Sequence, residues 1–71
     1  MISASEFINP ARDAGYNFYT GVPCSFLTPI INGVISDQRL DYVGAASEGE
    51  AVAIAAGTWL TGRKTVVMCQ N

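Results

Sequence analysis

The stretch Ser47-Glu48-Gly49-Glu50 sets two carboxylates two positions apart, directly ahead of the apolar run Ala51 to Ala56. Carboxylates have two uses at such a place. In the structural one they cap a helix: the Ser47 hydroxyl accepts the Glu50 backbone N–H, and the Glu50 carboxylate returns to the N–H of Ser47. Glu48 then lies in the first helical turn, where a negative charge is favoured by roughly 0.3–1 kcal/mol. In the chemical one, a carboxylate at the edge of a dry junction exchanges a proton with a ligand. Spacing alone leaves both open.

A second group, Pro23-Cys24-Ser25, precedes another apolar stretch. The Ser25 hydroxyl can cap the helix that follows. Alternatively it can stand with the free N–H groups of that helix's first turn as an anion site. Cys24 reads as a small filler rather than a nucleophile. The chain holds no histidine, which excludes a Cys–His nucleophile pair or a Cys/His zinc site within it. No Gly-rich phosphate loop follows the first predicted strand, since Gly21-Val22-Pro23-Cys24-Ser25 is neither a dinucleotide fingerprint nor a P-loop.

The elements that must position these residues follow from pattern. Ser3 to Glu6 fits a capping box ahead of a helix with Phe7, Ile8 and Ala11 on its apolar side. Pro10 either kinks that helix or, with Asn9 as cap, starts a second one, and Gly15 is a stop. Asn17 to Val22 is aromatic and β-branched and predicts a strand. Phe26 to Ile35 predicts a helix with Pro29 in its first turn, Leu40 to Ala46 a second strand, Ser47 to Gly62 a third helix and Lys64 to Gln70 a third strand. The order α-β-α-β-α-β predicts an α/β fold, a parallel sheet with flanking helices joined by right-handed crossovers. Ligands of such sheets bind beyond the carboxyl ends of the strands, where Ser25 and Glu48 both fall. The last predicted strand reaches the end of the sequence, where a loop and another helix are expected. Residues 1–71 therefore read as the N-terminal part of a longer domain, with no complete second domain. Tyr42, Trp59 and Cys69 read as packing residues.

Hydrophobic residues make up 49% of the 71 and charged ones 14%. A chain this short buries only about 60% of its unfolded surface, so the surplus predicts apolar surface meant for a partner or for further sequence. The third helix carries that surplus, being apolar on every side over two turns, so one face covers the sheet and the other needs a neighbour. Net charge is −2, and the four cations form no basic stripe, which speaks against a nucleic-acid partner. No apolar run reaches the ~18–20 residues of a membrane span. The amino terminus lacks a secretory pattern, and two cysteines 45 positions apart fit cytosolic thiols and a cytoplasmic location.

The segment Ser47 to Gly57 resembles the one that carries the catalytic glutamate in the pyrimidine-binding domain of thiamine-diphosphate-dependent 2-oxo acid decarboxylases. In that family a glycine follows the glutamate nine positions later across a small-residue helix. Glu48 and Gly57 hold this spacing and Glu50 does not, so the resemblance gives the role to Glu48 and leaves Glu50 as the cap. Ala56 and Thr58 depart from the acidic and aromatic residues common beside that glycine. Phe18 to Ile31 is similar to the family's first strand, loop and helix, in which a Gly-x-Pro turn precedes a substrate-contacting residue, here Ser25. The resemblance spans nearly all 71 residues and is nearest to the branch acting on phosphonopyruvate, with the sulfopyruvate branch close behind.

It implies a lyase that binds thiamine diphosphate and Mg2+. Glu48 would hydrogen-bond a ring nitrogen of the coenzyme, with Pro23 beside the cofactor and Ser25 and Cys24 toward a small-molecule 2-oxo acid. The diphosphate and metal site of the family carries a Gly-Asp-Gly motif, which this sequence lacks, so no metal ligand is expected here. The resemblance thus implies half an active site at the interface of a homo-oligomer, at least a dimer, and an inactive 71-residue chain. The reading of another class is a small α/β module that binds a partner through its apolar helix, with both glutamates as caps.

Overall fold

The computed structural model describes residues 3–69. Helix α1 spans Ala4–Asp13, strand β1 Tyr16–Gly21, α2 Thr28–Ser36, β2 Asp41–Gly44, α3 Glu48–Leu60 and β3 Lys64–Met68. The predicted order is the observed one. Gln70, given above to the third strand, lies outside the described residues.

Helix α1 starts on the expected capping box: Glu6 N–H donates to the Ser3 hydroxyl at 3.3 Å, and Ser3 N–H donates to the Glu6 carboxylate at 3.2 Å. The helix runs through Pro10 to Asp13, so Asn9 caps no second start. It stops at Gly15, which takes a φ of +95° that a side chain would resist. Helix α3 stops in the same way at Gly62, with the Gly62 N–H on the Trp59 carbonyl and the Arg63 N–H on the Thr58 carbonyl.

The three strands are parallel in the order β2-β1-β3. The chain steps from β1 to one neighbour and then back across β1 to the other. With right-handed crossovers this puts α2 and α3 on opposite faces. Helices α1 and α2 pack together on one face, and α3 lies over β1 and β3 on the other. The core sits on the two-helix face, where Ile8, Tyr19, Val34, Leu40 and Met68 are buried together and Leu27, Ile30, Tyr42 and Val66 pack around them.

Charges gather at the amino edge of the sheet. Asp37 ties Arg12 of α1 (3.3 Å) to Arg39 of the following turn (3.0 Å). Arg63 reaches Asp41 at 2.8 Å and Asn17 at 3.0 Å, with its guanidinium 5.0 Å from the Phe18 ring. Lys64 donates to the Ala14 carbonyl at 3.0 Å. All four cations of the sequence are therefore held away from the carboxyl edge, where the candidate site lies.

Candidate active site

The carboxyl ends of the strands are level, with Gly21 in register with Gly44 on one side and with Met68 on the other. Gly21 has no substitute here, because a Cβ at this position would run into the Met68 carbonyl. The segment after β2 is tied to the end of β1: Ala45 N–H donates to the Gly21 carbonyl at 2.9 Å, and the Thr20 hydroxyl to the Val43 carbonyl at 2.7 Å. The loops carrying Ser25 and Glu48 thus leave adjacent strands at one edge.

The Ser25 loop differs from expectation. Helix α2 begins at Thr28, with Leu27 as N-cap and no side-chain capping bond. Ser25 and Phe26 lie in a turn closed by the Leu27 N–H and the Thr28 hydroxyl, both donating to the Cys24 carbonyl at 3.1 and 3.2 Å. Ser25 therefore caps no helix, and the anion site inferred for a helix starting there loses its first turn. Pro29, second in the helix, removes a donor as well. The sequence signal that misplaced the start was the apolar pair Phe26-Leu27, of which only Leu27 packs inward. Ser25 and Pro23 are exposed and Cys24 is half-buried. Phe26, beside Ser25, is 83% exposed, and no sequence signal marked it.

Helix α3 separates the two glutamates. Glu50 N–H donates to the Ser47 hydroxyl at 3.2 Å, while the Glu50 carboxylate accepts the Ala46 N–H at 3.0 Å. The return bond therefore lands one residue before the expected Ser47 N–H. Glu48 opens the helix, exposed, and its carboxylate has no hydrogen bond among the described residues.

The dry setting expected around Glu48 is not supplied by this chain. On α3 only Ala51 is buried, while Val52, Trp59 and Leu60 are 58%, 69% and 85% exposed. Trp59 is thus no packing residue here. Nor is Cys69, which lies exposed just past the end of β3. Tyr42 does pack against the core. Two clefts lie elsewhere: one between α1 and α2, and one lined by Phe7, Pro10, Tyr16 and Val66. Among the described residues there is no group of three or more side chains able to hold a metal ion, and no helix is long and apolar enough to cross a membrane.

The whole chain aligns with phosphonopyruvate decarboxylase of Streptomyces hygroscopicus at 48% identity over 71 residues, and with that of Streptomyces viridochromogenes at 45%. It also aligns over 99% of its length with sulfopyruvate decarboxylase subunit alpha of Methanococcus maripaludis at 34% identity. The chain is similar along its whole length to these decarboxylases, the same two branches that the segments around Ser25 and Glu48 resemble. The chain spans 18% of the length of either Streptomyces relative and 42% of the Methanococcus subunit. No family model matches it.

Proposed function

We propose that residues 1–71 form the N-terminal part of the pyrimidine-binding domain of a thiamine-diphosphate- and Mg2+-dependent lyase. Its substrate on this reading is phosphonopyruvate, which takes up a proton as it loses carbon dioxide to give phosphonoacetaldehyde. One observation carries the reading. Glu50 alone satisfies the cap, which leaves the Glu48 carboxylate free of hydrogen bonds among the described residues at the carboxyl edge. A cap explains one glutamate and not the other.

The residues present fit the coenzyme's ring. Glu48 offers an uncommitted carboxyl that can share a proton with a ring nitrogen, and α3 offers a bare apolar flank that a second subunit can cover. Covering it would remove water from around Glu48 and strengthen that hydrogen bond. When bound, the coenzyme supplies the electron sink for loss of carbon dioxide. Ser25 and Cys24, on the turn that follows β1, the strand next to the one that leads into Glu48, would orient the substrate carboxylate through hydroxyl and backbone donors. The substrate's second anionic group must find its cation outside this chain, since Arg12, Arg39, Arg63 and Lys64 are all engaged at the amino edge. The diphosphate and metal belong to another domain.

The test uses an intact enzyme carrying this segment. Thiamine diphosphate with Mg2+ should raise its melting temperature by mass action, and carbon dioxide should be released from phosphonopyruvate faster than from sulfopyruvate. Faster turnover of sulfopyruvate selects the second substrate, which the Methanococcus relative favours. No thermal response and no release from either leaves the partner-binding module, which the bare face of α3 favours.

A further inference from the structure

We draw no further inference here: the strongest candidate, the bare outer face of helix α3 on which Val52, Trp59 and Leu60 stand exposed, belongs to the site already described, and nothing in the structure shows what covers it.

Discussion

At the scale of single residues, the two glutamates should part company under mutation. Glu50→Ala removes the acceptor of the Ala46 N–H and should lower stability by about 0.5–2 kcal/mol, with the activity per folded molecule kept. Glu48→Gln takes away no intrachain bond but removes a charge from the first turn of α3, so the melting temperature of the chain should fall by no more than a few degrees. On the proposed function, turnover of the intact enzyme should fall by about 10²–10⁴-fold; near-normal turnover removes Glu48 from its role. Asp37 gives a pH signature. Its hydrogen bonds to the Arg39 side chain and backbone lower its pKa from 3.8 to about 2. A carboxylate with a depressed folded-state pKa stabilises above its unfolded value and loses that contribution as pH falls through the folded one. Asp37→Asn should therefore be less stable than the wild type at pH 7, and the gap should close between about pH 4 and 2, measured by urea unfolding across that range.

At the scale of elements, the two glycines that mark the site should respond in opposite directions. Gly21→Ala drives a methyl into the Met68 backbone at the β1–β3 junction, and should cost about 1–3 kcal/mol or abolish folding. Gly57, in the last turn of α3, has nothing within 4 Å of a Cβ. Gly57→Ala should therefore stabilise the chain by about 0.5–1 kcal/mol through helix propensity alone. In an intact enzyme the same methyl would stand on the face proposed to meet another subunit. Raised stability of the chain with weakened assembly of the enzyme, read by sedimentation, would mark Gly57 as a point of close approach. The positions of the helices were legible because their stops and starts are local chemistry: Ser3 and Glu6, Gly15, Ser47 and Glu50, Gly62. The start of α2 was not, because Phe26 and Leu27 are equally apolar and only contact with the core tells which one turns inward.

At the scale of the whole molecule, the distribution of polarity is lopsided. One face of the sheet has two helices and a closed core, while the other has a single helix whose outer side is bare. Trp59, the one tryptophan in the sequence, stands on that side. Its fluorescence in the chain should be red, as for an indole in water, and should shift to the blue if α3 is covered in a longer assembly. A blue spectrum in the dilute monomer would contradict the exposure described here. The sequence by itself determined the α/β order, the capping residues, the apolar surplus and the two segments that resemble a decarboxylase, because periodicity, caps and motif spacing are properties of near neighbours along the chain. Only the tertiary structure decided that Ser25 sits in a turn, that Cys69 and Trp59 face water, and that all four cations lie at the far edge. Those depend on strand order and register, which bring together residues twenty to fifty positions apart and which no local pattern encodes.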